Sequence, residues 1–177
     1  MTEKMDAKPA TADNTEERYH SLSTLNAHQD LSAELGNMVV AWAFAENMLI
    51  HVMSRVSSLG LNMSQNGYYR IPTINSRMQF IIALIDDWET KVYDKLAILQ
   101  EIEGLGKLST TRNHWVHGNW CVGGTSKEVV TFDHRAKIGS SSRRKPVKAA
   151  DVKNHNEAVL TRANALKKLV DANSLVA

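Results

Sequence analysis

Between Leu108 and Trp120 the chain reads LSTTRNHWVHGNW, which gathers Arg112, Asn113, His114, Trp115, His117 and Trp120 into one short stretch. Arginine offers a planar, permanently charged fork that matches phosphate. Histidine has the side-chain pKa nearest neutrality and so both takes and gives a proton. A metal site is the competing chemistry, with His114, His117, Cys121 and His134 as ligands. Their spacing matches no standard zinc pattern, and there is no second CxxC or HxxxH pair. No GxSxG elbow is present. The segment Gly104–Thr110, GLGKLST, lacks the upstream glycine of a phosphate loop. Neither a metal nor an organic cofactor is therefore expected.

These residues need a scaffold, and apolar periodicity supplies four helical segments. The first spans roughly 27–58, where Val39, Trp42, Glu46, Leu49, Met53 and Val56 recur at steps of three and four. Apolar flanks make it the central helix. The segment SLGLNMSQNGYYRIP, with Gly60, Gly67 and Pro72, reads as a break. A second helix is expected over about 73–88, with Ile74, Met78, Ile81, Ile82 and Ile85 on its apolar face. A third runs from about 91 to 117 and a last from about 149 to 172, the latter with Val152, Val159, Ala163, Leu166 and Leu169 or Val170 facing inward. Between these two, Gly123-Gly124 separates runs rich in Val, Thr and aromatic residues, a hairpin signal. SSSRRKP follows as a basic loop. The fold class expected is all-α: a bundle of about four helices with a small β-hairpin inserted before the last.

On the third helix, Ile98, Leu105 and Arg112 are spaced by seven, with Ile102, Ser109 and Val116 beside them. Arg112 thus continues the core-facing stripe, and a buried cation needs an anion. Glu46, on the stripe of the central helix, has the reverse problem. The two are expected to pair, which would aim the guanidinium; the alternative is that each finds a local or surface partner. Gly106, Thr110, Asn113 and His117 form a second stripe, small and polar, suited to close approach of another helix or to a cleft. Arg112 and His117 lie about 140° apart on an ideal helix, so they converge only at a shared groove or a helix end. Gly118 is placed to end the helix; Gly104 and Gly106 inside it cost propensity, and the alternative is a helix that breaks there and restarts near Ser109.

Composition narrows the setting. The 177 residues, 43% hydrophobic and 23% charged, suit one globular domain. A single cysteine, Cys121, allows no internal disulfide, and a reducing, cytoplasmic home is expected. The N-terminus has neither basic start nor apolar core, so no secretion signal is read there. Residues 1–26 are expected to be a disordered polar tail, and 27–177 the folded domain, with hairpin and basic loop at about 119–148. The apolar run from Met38 to Met53 is interrupted by Glu46 and His51, and no membrane span is expected. The first thirty residues carry a net charge of −3, whereas Asp133 to Lys148 carries +5. Arg135, Lys137, Arg143, Arg144 and Lys145 suit an anionic partner, unless the segment is simply a solvated loop.

RNHWVH, Arg112 to His117, resembles the Arg–four residues–His motif of the HEPN superfamily, including its common polar residue after the arginine, here Asn113. The setting is similar too: a bundle of about four helices, the motif at the end of a late helix, and an acidic residue, Glu46, on an earlier central one. The resemblance covers roughly residues 30 to 173. It implies a metal-independent endoribonuclease that works as a homodimer with a shared RNA cleft. His117 would be general acid/base for attack of a ribose 2′-hydroxyl on the adjacent phosphate, Arg112 would hold that phosphate, Asn113 would position one or the other, and Glu46 would support Arg112. Trp115, Trp120 and Tyr69 would stack on bases and the basic segment would track the RNA backbone. A bacterial-type defence or toxin-like role with a neutralising protein partner is compatible with it. The alternative is a non-catalytic HEPN-like dimer that binds RNA or protein, with Arg112 committed to Glu46.

Overall fold

A computed structural model of the chain describes residues 17–89, 92–132 and 144–173. Among them are five helices, α1 (Gln29–Ser57), α2 (Leu61–Arg70), α3 (Ile74–Asp86), α4 (Val92–His117) and α5 (Ala149–Asn173). Four strands, β1 (Tyr19–Ser21), β2 (Asn119–Gly123), β3 (Val129–Phe132) and β4 (Arg144–Pro146), form one antiparallel sheet in that order.

The core follows the apolar stripes. α1 is the central helix, burying Met38, Trp42, Leu49, Val52 and Met53. Its most extensive neighbour is α5, which presents Val152, Val159, Ala163 and Leu166. α4 adds Ile98, Ile102 and Leu105, and α3 adds Met78, Ile81 and Ile85. By length and composition alone α1 is long and apolar enough to cross a membrane, but here its apolar stripe is the bundle's core.

Two expectations change. The break after the first helix holds a helix of its own, α2. Its sequence is short and polar, with Leu61 and Met63 exposed, so no stripe marks it. Two residues explain it. Tyr68 is fully buried, worth about 2 kcal/mol of apolar burial. Gly67 lies where α2 crosses α1, and a Cβ there would come within 3.2 Å of Met53 Cε. The glycine costs about 1 kcal/mol of helix propensity, which the Tyr68 contact offsets. Likewise, α4 does not break at Gly104 or Gly106. Gly104 opens the helix surface to the Arg162 guanidinium, which occupies the space of a Cβ and pairs with Glu101 at 3.1 Å.

The hairpin, too, is part of something larger. β2 and β3 pair as expected, with Asn119 opposite Phe132 and Val122 opposite Val129. β4, within the expected basic loop, adds to β3 with Phe132 opposite Arg144. β1, within the expected polar tail, adds to β2 with Ser21 opposite Cys121. Glu17 ties this edge down: its Oε1 accepts from the Thr125 and Ser126 backbone N–H groups at 2.9 and 3.1 Å. Those bonds, Ser126 first, hold its carboxyl below the usual range. Residues 1–16 lie outside the described residues.

Candidate functional site

The last turn of α4 is held from two sides. Trp115 points inward, buried against the His155 ring of α5 at 5.0 Å between centroids. His114 points to the sheet, where its Nε2 and the Thr131 Oγ1 hydroxyl lie 2.7 Å apart. Trp120 Nε1 donates to the Trp115 carbonyl at 3.0 Å, folding β2 back over the helix end. Gly118 makes this turn through close approach rather than a left-handed backbone. Its N–H donates to the His114 carbonyl at 2.9 Å, and a Cβ would sit 2.5 Å from that oxygen and 3.4 Å from Thr131 Cβ.

On the remaining side Arg112 is half-buried. Its Nη1 donates to Asn113 Oδ1 at 3.0 Å, and among the described residues it forms no ion pair. It borders a cavity of about 180 Å³ between α1 and α4, shared with Trp42, Glu46, Ile74, Ser109 and Val116. Of its lining residues, Val39 and Val116 are exposed.

Glu46 faces this cavity but does not pair with Arg112. Its Oε1 accepts from Arg77 Nη1 at 3.1 Å. Arg77 also donates from Nε to the Ile71 carbonyl at 2.9 Å, and its guanidinium lies 4.8 and 5.3 Å from the Tyr68 and Tyr69 ring centres. Burial and the neighbouring Glu46 charge push the Tyr68 hydroxyl pKa up. Arg77 lies three residues after Ile74 and four before Ile81, a stripe position like that of Arg112, and that spacing is the signal in the sequence that marks it.

His155 is marked in the same way, on the inner stripe between Val152 and Val159. It accepts at Nε2 from Trp42 Nε1 at 3.2 Å, so its own proton sits on Nδ1. Burial lowers its pKa.

The other expected site residues fall as follows. His117 is exposed, lies outside the Arg112 cavity and makes no hydrogen bond among the described residues. Arg112 and His117 thus leave α4 on different sides within one chain. Trp115 cannot stack on a base, because it is core; Trp120 is half-buried, and Tyr69 is exposed. His114, a ligand in the competing metal reading, is a helix–sheet tie. Arg144 and Lys145 are exposed on β4, with Arg144 4.7 Å over the Tyr19 ring. Arg135, Lys137, Arg143 and His134 lie outside the described residues. Among the described residues no three His, Cys, Asp or Glu side chains are grouped to hold a metal ion. Compared with known proteins, the chain matches no family model, no curated protein and no solved structure.

Proposed function

We propose that the chain is a cytoplasmic, homodimeric, metal-independent RNA endonuclease of the HEPN type. The observation that carries this reading is Arg112: a half-buried guanidinium with no carboxylate partner among the described residues, steadied by Asn113 at a cavity mouth. Five residues on, at the helix end, stands the exposed imidazole of His117. A cation left unpaired in such a place suits an anionic ligand. The scissile phosphate binds at Arg112. His117 takes the proton of the adjacent ribose 2′-hydroxyl, whose oxygen attacks phosphorus. The bond to the 5′-oxygen breaks, that oxygen receives a proton, and a 2′,3′-cyclic phosphate remains. Because Arg112 and His117 diverge within one chain, a second copy supplies the His117 that completes each site. Val39 and Val116, exposed at the cavity, are apolar surface that such a dimer would cover in part while its shared cleft stays open to RNA.

The same divergence favours a second reading, a non-catalytic HEPN-like module that binds RNA or protein through Arg112. One assay separates them. Purified chain is incubated with structured and single-stranded RNA in EDTA beside His117→Ala, after light scattering has established its oligomeric state. The catalytic reading expects cleavage by a dimer, slowed about 10²- to 10⁴-fold by the substitution. Intact RNA, or equal cutting by the variant, leaves the binding module.

A further inference from the structure

The cavity beside Arg112 has one acidic side chain, and that side chain is unusually well held. Glu46 is fixed by Arg77, which is itself fixed by the Ile71 carbonyl and lies against two tyrosine rings. A carboxylate immobilised before any ligand arrives gives up little side-chain freedom on binding. Its Oε1 engages Arg77, and a carboxylate has about four lone-pair sites, so acceptor capacity toward the cavity remains. The walls are mostly apolar, with Trp42, Ile74 and Val116 among them, and Ser109 turns its hydroxyl to the Gly106 carbonyl. At about 180 Å³ the space suits one flat ring system rather than a drug-sized ligand, whose sites run to roughly 300–1,000 Å³.

We infer that this cavity receives a guanine base and so selects the nucleotide whose phosphate is held at Arg112; the inference rests on the RNA reading of that site. The donor pattern chooses the base. Guanine presents N1–H and its N2 amino group side by side, two donors for one carboxylate. Adenine and cytosine each present an amino group beside an acceptor nitrogen. Uracil presents a single N–H between two carbonyl oxygens, which a carboxylate repels. Arg112, at the edge of the same cavity, meets the anionic end of the nucleotide, and the apolar walls take the ring faces.

The test is titration of the full chain with each of the four nucleoside 3′-monophosphates, followed by calorimetry. The guanine nucleotide is expected to bind more tightly than the uracil one by roughly 5- to 150-fold, the discrimination of one good bidentate contact to a base. Glu46→Gln should remove that preference, and circular dichroism would show whether the variant keeps its fold. Ala43→Leu, at an exposed position on the cavity rim, should weaken all four nucleotides without touching the core. Equal binding of the four, no binding, or an unchanged preference in Glu46→Gln overturns the inference. RNA cleavage with no base preference also removes the guanine pocket while leaving the nuclease. Guanine-selective binding by a chain that cuts no RNA keeps the pocket and removes the nuclease.

Discussion

Arg112 borders the cavity and Arg77 holds the Glu46 that lines it; both arginines are half-buried, yet replacing each with methionine should have very different costs. Arg77→Met removes the 3.1 Å pair with Glu46, whose two side chains are 15% and 26% exposed. Exposed pairs are worth about 0–1 kcal/mol, and breaking a fully buried one costs about 3–5. This half-buried pair falls between them, near 2 kcal/mol. The Ile71 carbonyl loses its donor as well, for about 1 kcal/mol more. Methionine keeps much of the contact with Tyr68 and Tyr69, so the total is about 3 kcal/mol. At about 2–4 °C per kcal/mol for a chain of this size, Tm should fall by roughly 6–12 °C. Arg112→Met breaks one hydrogen bond to Asn113 and no ion pair, so its cost should stay within about 0.5 kcal/mol. Urea and thermal unfolding of the two variants measure the contrast. Similar losses, or a larger loss at Arg112, would mean that Glu46 pairs with Arg112 in solution, and the account of an unpaired phosphate-ready arginine would fail.

Gly118→Ala should destabilise the chain by roughly 1–3 kcal/mol, because its Cβ meets the His114 carbonyl rather than a side chain able to move aside; an unchanged urea midpoint would count against the close approach there. His155 should make stability fall under mild acid. Its folded pKa is lowered by burial, so above about pH 6.5 both folded and unfolded forms are neutral and nothing is lost. As pH drops below that value the unfolded chain takes up the proton first, and stability declines until the folded pKa is passed. His155→Gln keeps an acceptor for Trp42 Nε1 and should flatten this decline in unfolding curves measured between pH 5 and 7.

Periodicity found α1, α3, α4 and α5 to within about two residues because each buries a continuous stripe, and that pattern is local. It could not find α2, whose ten residues place Tyr68 and Ser64 in the core and most of the rest in solvent. Nor could it find β1 and β4, three residues each, which are strands only because β2 and β3 stand beside them. At the site, the stripes of α4 and α1 put Arg112 and Glu46 on one cavity, although the pair expected between them does not form. What one helix cannot reveal is competition from another. Arg77 reaches Glu46 from α3, and the choice between two arginines is decided by how α3 and α4 pack. Trp115 shows the converse. An aromatic directly after the polar run Arg112–His114 looks like a ligand-facing ring until α5 brings His155 against it.

The partnership of α1 with α5 also sets a timetable. A ribosome completes α1 about ninety residues before it begins α5, which at 5–20 residues per second is on the order of 10 s. Through that interval Met38, Trp42, Leu49 and Val52 have only α2, α3 and α4 to cover them, and Trp42 Nε1 still lacks His155. The nascent chain therefore carries a long apolar helix with one flank bare, the kind of surface that holding chaperones grip. A message cut short before Ala149 would yield a product permanently in that state, fit for proteolysis rather than for work.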